Sequence, residues 1–444
     1  MQELDLSAKI LDDILDNDVP FSEALKKVFQ SDASIRGERS LVAGLVGCEL
    51  RHHLLFSFLT EPLTTFEVAD KRILALVLGD LYFFKRVPND QILVALKEKL
   101  GEAKMALAQP LVDKAPNPES YIPTDLAKSS NKYLSLRYNT PEWVLKIWEH
   151  YGYGTTYKIL KKNNRPLVNS VRVRTNMITP EQLMNNNPDY AKSAISDMLF
   201  YGGKTPLRKL PEYMAEQIFL EKLGTKKVFD EYKVQEPSEV LLFNGNADSS
   251  PLKELIETYG STIGLNLGVY DLQKYPDVSK MIRTLNLKNV NFFAGDPTSL
   301  EAAVSRPQDL VIACPDSSNF DLIREAPDYL LHFKKEGMDE LFAKEKAMLE
   351  GLSKHVDEGG LLIYMIYTIS KKEGHATVTE FLMNHPEFKI VKEEQLFPYD
   401  ELDTALYYCV LKKETPLAKE GVPAEALAAA KAAPAASISA QSAK

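Results

Sequence analysis

The sequence predicts three folded units in series: an all-helical front, a small α+β unit, and a C-terminal α/β unit on a parallel, doubly wound sheet. Three observations predict it. Apolar residues recur at helical spacing through the first hundred positions, a proline-rich break follows, and from Glu239 short apolar strands alternate with helices. The 444 residues also exceed what one hydrophobic core usually organises.

In the front unit, Leu4, Ile10, Leu11, Ile14 and Leu15 fall on one helical face, and Phe21, Leu25, Val28 and Phe29 on the next. The segment VADKRILALVLGDLYFFKRV, residues 68–87, is apolar almost all round and reads as the buried helix of a bundle. Residues 37–59 read as amphipathic, with Arg51, His52 and His53 expected on an exposed, partly basic surface. Residues 106–130 hold several prolines and little periodicity and are expected to be a linker.

Composition is that of an ordinary soluble globular chain, 45% hydrophobic and 26% charged, and its apolar runs are too short for a membrane span. The acidic, helical start is unlike a secretory or transit leader, so a cytoplasmic protein is expected. Cys48, Cys314 and Cys409 are scattered, which argues against a disulfide framework or a zinc site. His332, His355, His375 and His385 lack the spacing of a triad or metal cluster.

The net charge of −9 conceals a reversal. Between Lys128 and Arg174 stand ten Lys or Arg against two acids, together with Trp143, Trp148 and several tyrosines. Cations bind phosphates by counterion release and aromatic faces stack on unpaired bases, so this window is the predicted RNA surface. Its candidates are Lys132, Arg137, Lys158, Lys161, Lys162, Arg165, Arg172 and Arg174. The competing reading makes Trp143, Ile147 and Tyr151, at helical spacing, part of a core.

In the C-terminal unit, EVLLFNG, STIGLNLGV, VNFFAGDP, DLVIACP and GGLLIYMIYTI are the strands, and FKIVKEEQLFPYDELDTALYYCVLKK closes the sheet with two more. Ligands of such sheets sit at the carboxyl ends of the strands, which places the site near Asn244, Asn266, Asp296, Asp316 and Tyr367. The alanine-rich stretch after Thr415 has too few large apolar groups to pack and is expected to be mobile.

The front segment GERSLVAGLVGCELRHHLLFSFL with ILALVLGDLYFFKRVPNDQILVALKEKLG resembles a NusB-type helical domain. YLSLRYNTPEWVLKIWEHYGYG followed by RPLVNSVRVRTN resembles the small RNA-binding domain of RsmB/NOP-type enzymes. With KNVNFFAGD, GGLLIYMIYTI and FLMNHPEF, the order of segments looks like an RsmB/NOP-type RNA cytosine-C5 methyltransferase over most of residues 1–413. The resemblance implies a NusB-like domain at 1–105, a linker at 106–130, a small basic RNA-binding domain at 131–212, a Rossmann-like class I methyltransferase domain at 213–414 and a tail at 415–444. It also implies S-adenosylmethionine as cofactor and RNA, ribosomal in kind, as partner; neither membrane nor metal is implied.

That chemistry needs a cysteine thiolate to add to carbon 6 of cytosine and a second cysteine to release the adduct. The nucleophile's place in the family's Thr-Cys-Ser turn falls here on Tyr367, between Ile366 and Thr368. The releasing cysteine's place falls on Asp316, and the base-holding aspartate's place on Ala313. Cys314 stands two residues before Asp316 and reads as a buried apolar residue. The family's glycine-rich cofactor loop becomes NGNADSSPLK, retaining Gly245 but placing Asp248 and Ser249 at the paired glycines. Asn266 stands for the ribose-binding acid, with Asp271 a few residues later, and Asp296 for the adenine-side acid. Three expectations follow: an RNA-binding protein impaired in cytosine methylation, an active methyltransferase with a rearranged site acting on nitrogen or oxygen, or a NusB-like interaction module for a protein partner in transcription or ribosome assembly.

Overall fold

The computed structural model describes residues 1–31, 34–114, 118–234 and 238–414. The predicted tail and the centre of the predicted linker lie outside the described residues.

The front is a helical bundle of Gln2–Asn17, Phe21–Ser31, Arg39–Leu50, His53–Thr60, Val68–Gly79 and Asn89–Val112. The helix Val68–Gly79 is its buried member: residues Leu74 to Gly79 are all inside, and a capping box between Glu67 and Asp70 fixes its start. Two expectations are corrected here. The helix Asn89–Val112 runs into the segment expected to be linker, breaking direction at Gly101, whose φ of 74° only glycine adopts freely. His52 and His53 are half-buried and held by partners rather than exposed. The His52 ring stacks on Phe83 at 3.7 Å and its Nδ1 bonds the Cys48 carbonyl at 2.9 Å, while His53 Nδ1 lies 2.7 Å from Glu49 Oε1. Burial depresses His52 to about 4.

The small unit is a four-stranded antiparallel sheet in the order β2-β3-β1-β4, from β1 Asn169–Val173, β2 Tyr190–Lys192, β3 Met198–Tyr201 and β4 Ile218–Leu220. Its last strand lies past residue 212, where the unit was expected to end, because β4 pairs with β1 through Val171 and Leu220. The helices Asn131–Tyr138, Glu142–Trp148 and Tyr153–Asn163 do not share its core. Leu134, Val144, Leu145, Trp148, Ile159 and Leu160 pack instead with Phe320, Ile369 and Ala405 of the C-terminal unit. The expected domain 131–212 is therefore two pieces, one of them welded to its neighbour.

The C-terminal unit is a seven-stranded sheet in the order β10-β11-β9-β8-β5-β6-β7, from β5 Glu239–Asn244, β6 Gly264–Val269, β7 Val290–Ala294, β8 Gln308–Cys314, β9 Val356–Ile366, β10 Phe388–Leu396 and β11 Leu406–Lys413. β5 to β9 are parallel and the final two strands pair antiparallel. Central strands read as continuous apolar runs because helices cover both faces, burying Leu242 and Ile312 on one side and Leu241 and Val311 on the other. Strand order reverses between β5 and β8, so the crevice for a ligand opens beyond their carboxyl ends. Among the described residues, no helix is long and apolar enough to cross a membrane.

Candidate functional site

At that crevice Gly245 N donates to the Cys314 carbonyl at 2.8 Å, holding the loops after β5 and β8 together. The loop after β5 is tied by its own polar groups. Asn244 Nδ2 donates to the carbonyls of Asn246 and Asp248 at 3.0 and 2.8 Å, Asp248 N to Asn246 Oδ1 at 2.9 Å, and the Tyr275 hydroxyl to the Asn246 carbonyl. A Cβ at Gly245 would lie 3.0 Å from Asp316 N, 3.1 Å from Met348 Cε and 3.1 Å from Tyr270 Cε2. The space this glycine leaves is taken by protein, so no cofactor atom has room beside Gly245 in the loop as folded.

The strand-end acids are capping residues. Asp296 Oδ1 accepts from Thr298 N at 2.9 Å and from Thr298 Oγ1 at 2.7 Å, bonds that hold its carboxyl below the usual range. Asp271 Oδ1 accepts from Gln273 N at 2.9 Å. Asn266, expected at the end of β6, lies inside that strand: its amide donates to Gln308 Oε1 at 3.2 Å and accepts from Asn291 Nδ2 at 3.0 Å. Of the two residues considered for the second strand's end, Asp271 stands there.

Of the three positions implied in pyrimidine chemistry, two are built for packing and the third caps a turn. Tyr367 is fully buried; its phenol meets Thr225 Oγ1 at 2.5 Å and its ring carries Lys222 Nζ 4.5 Å above the centroid. Burial holds the phenol well above its ordinary value, so it is neutral. Lys222 reaches over because Asp321 pairs with it, with Asp248 Oδ2 at 3.6 Å. Ala313 is buried against the opposite face from Cys314. Asp316 is exposed, its Oδ1 accepting from Ser317 N at 3.0 Å and Asn319 Nδ2 at 3.1 Å. The thiols of Cys314 and Cys409 are both completely enclosed; burial raises the first and pushes the second up to about 12. Cys314 is the apolar strand residue its sequence position suggested.

Behind this layer the loops after β8 and β9 are clamped by Glu373, which no motif signalled. Its carboxylate accepts from Ser318 N at 2.7 Å, Ser318 Oγ at 2.7 Å and Thr368 Oγ1 at 2.9 Å. Glu345, also buried, faces it with neither oxygen in a formed hydrogen bond. Two carboxyls in a dry site cannot both ionise. The three donors favour the anion on Glu373, leaving the proton on Glu345, which burial and that neighbour push up to about 11.

Beside the crevice lies a cavity of about 340 Å³, walled by Asn163 and Val168, by Asn246 and Asp248, and by Asp321 and Pro398. The basic window divides around it. Lys132, Lys158, Lys161 and Arg165 are exposed and Arg137 is half-buried over the Tyr138 ring. Lys162 is paired with Asp403 Oδ1 at 3.0 Å. Arg172 and Arg174 point inward and bind the helix Ser250–Tyr259, so their expected place on an RNA surface is corrected: Arg172 pairs with Asp197 and lies 3.3 Å from Glu254, and Arg174 Nε lies 2.9 Å from Glu257. Trp148 is entirely enclosed, edge-on to Phe320 at 5.8 Å, and Trp143 packs on Phe320 and Phe333. Both tryptophans are core. Among the described residues, no group of three or more His, Cys, Asp or Glu is disposed to hold a metal.

A mostly parallel seven-stranded sheet, reversed at one edge and carrying a small antiparallel sheet before its first strand, defines a multidomain α/β protein with a Rossmann-like methyltransferase fold. No protein-family model matches the chain. In sequence it is similar to ribosomal RNA small subunit methyltransferase B of Thermus thermophilus, 28% identical over 103 residues, 21% of this chain and 26% of that protein. The match thus spans about a quarter of the curated relative. In fold it is similar to the crystal structure of PH0851, with a TM-score of 0.70, 16% identity, and coverage of 93% of this chain and 99% of that one. NSun6 from Pyrococcus horikoshii, solved with SFG, aligns with a TM-score of 0.52 at 12% identity over 61% of this chain and 97% of its own. The resemblance to RsmB/Sun-type RNA methyltransferases carried by the sequence motifs is the one these comparisons support.

Proposed function

We propose that this chain is an RNA-binding protein of the RsmB/Sun type that does not methylate carbon 5 of cytosine. The observation that carries the reading is Tyr367: the position implied for the attacking sulfur holds a neutral, buried phenol bonded to Thr225. A phenol so enclosed neither reaches a base nor ionises to attack it. Asp316 at the releasing position and a self-bonded loop at the cofactor position support the same reading. S-adenosylmethionine supplies the methyl group in the implied family reaction; here we infer that its binding is lost or weak, since Asp248 and Ser249 replace the paired glycines. The exposed Lys132, Lys158, Lys161 and Arg165 supply the hold on RNA, ribosomal RNA by likeness to the curated relative. The helical front is read as a NusB-like module for a protein partner, in a cytoplasmic setting.

The test is incubation of purified protein with ribosomal RNA and methyl-labelled S-adenosylmethionine, alongside calorimetric titration of the cofactor alone. RNA binding without 5-methylcytosine is the expected result. Protein-dependent 5-methylcytosine would overturn the reading, and methylation at nitrogen or oxygen would replace it with a rearranged active site.

A further inference from the structure

The fold separates the aromatic residues of the basic window into two groups. Trp143, Trp148 and Tyr151 are spent on packing, Tyr151 edge-on to Phe397 at 5.2 Å, while Tyr157 and Tyr399 rest half-buried at the edge of the same core. Tyr153 is not spent in this way. It is 51% exposed and stacks on Tyr157, ring centroids 5.8 Å apart and planes 18° from parallel, one helical turn along. A second stacked pair comes from the loop after β10, where Phe397 and Tyr399 lie 5.3 Å apart at 9°. The helix Tyr153–Asn163 joins the pairs with cations: Lys161 Nζ sits 5.5 Å from the Tyr157 ring and Lys158 Nζ 5.3 Å from the Tyr399 ring. Lys158, Lys161 and Arg165 are exposed and make no ion pair among the described residues.

We propose that Tyr153, Tyr157 and Tyr399 form a stacking platform for unpaired bases, with Lys158, Lys161 and Arg165 holding the adjoining phosphates, so that the RNA bound is single-stranded. This rests on the RNA-binding reading above and adds the kind of RNA. Bases in a duplex have both faces covered, whereas an unpaired base offers a π-face to any ring of suitable pitch. Asp400 and Glu401 next to Tyr399 are exposed, so the sugar-phosphate chain follows the lysine side of the platform rather than that loop. The same helix ends at Asn163, which with Val168 and Pro398 walls the 340 Å³ cavity; a strand laid on the platform is delivered to its mouth.

The test is fluorescence anisotropy of the full chain with a labelled RNA of roughly 12 nucleotides, single-stranded or annealed to its complement. Tyr153→Ala and Tyr157→Ala are each expected to weaken single-strand binding roughly tenfold, while Tyr153→Trp retains it. Lys158→Gln with Lys161→Gln is expected to flatten the salt dependence. Alanine variants that bind like the parent, beside lysine variants that bind weakly, would overturn the platform and leave the RNA reading standing. Preference for the duplex would also overturn it. A parent protein that binds neither RNA would remove the RNA reading itself, and the platform with it.

Discussion

Glu345→Gln should make the protein more stable. Glu345 keeps a proton in the folded state because burial and Glu373 push it up to about 11 from an ordinary 4.5. Unfolding exposes it to water, where it gives that proton up at neutral pH. The native form therefore binds one more proton at this group, so its contribution to stability is fully present below pH 4.5 and is lost as pH rises from there toward 11. At pH 7 the wild type has climbed 2.5 pH units into that window, which at 1.36 kcal/mol each costs about 3 kcal/mol. Glutamine has the same shape, needs no proton, and can donate an amide N–H to Glu373, so most of this penalty disappears. Urea unfolding followed by the fluorescence of Trp143 and Trp148, whose core includes Ile369 near the clamp, reads the effect; midpoints are compared because a multidomain chain is not strictly two-state. The variant's midpoint should exceed the wild type's at pH 7, and the gap should widen from pH 6 to pH 9. A variant less stable at pH 7, or one whose midpoint changes with pH as the wild type's does, would refute the proton on Glu345.

Arg174→Ala should lower the stability of the junction between the small sheet and the C-terminal unit by about 2–3 kcal/mol, since Glu257 and the Glu216 carbonyl lose their cation; RNA affinity and its salt slope should not change, as anisotropy titrations would record. Gly351→Ala should destabilise by about 1–3 kcal/mol in the same urea assay, because the new Cβ would stand 2.2 Å from the Pro297 carbonyl oxygen, a backbone atom that moves only by displacing the turn that Asp296 caps.

The sheet was legible because its strands are buried on both faces: IACP and LLIYMI announce themselves as apolar runs, and the two closing strands follow the last helix without a crossover. Boundaries were legible only where the chain itself punctuates them. Proline at 110 suggested a linker, but the helix absorbs it, and β4 belongs to the small sheet only through hydrogen bonds to β1, some 50 residues earlier in the chain. Charge was the least legible property. Arg172 and Lys161 look alike in sequence, yet one meets Glu254 across a domain junction and the other faces solvent; the deciding partner lies 82 positions away. Glu373 was invisible for a related reason, since a glutamate in a polar stretch signals nothing until two loops fold around it.

The contact of Tyr367 with Thr225 joins segments 142 residues apart in the chain. A cysteine introduced at 367 would leave most of the phenol's volume empty, at a cost of about 2–4 kcal/mol, and would strand the threonine hydroxyl in apolar surroundings. Installing a sulfur nucleophile at this position therefore demands coordinated changes on both segments, each unfavourable when made first. Packing of this kind works as a ratchet: with the interior closed around the phenol at 367, no single substitution puts a reactive thiol within reach of a base.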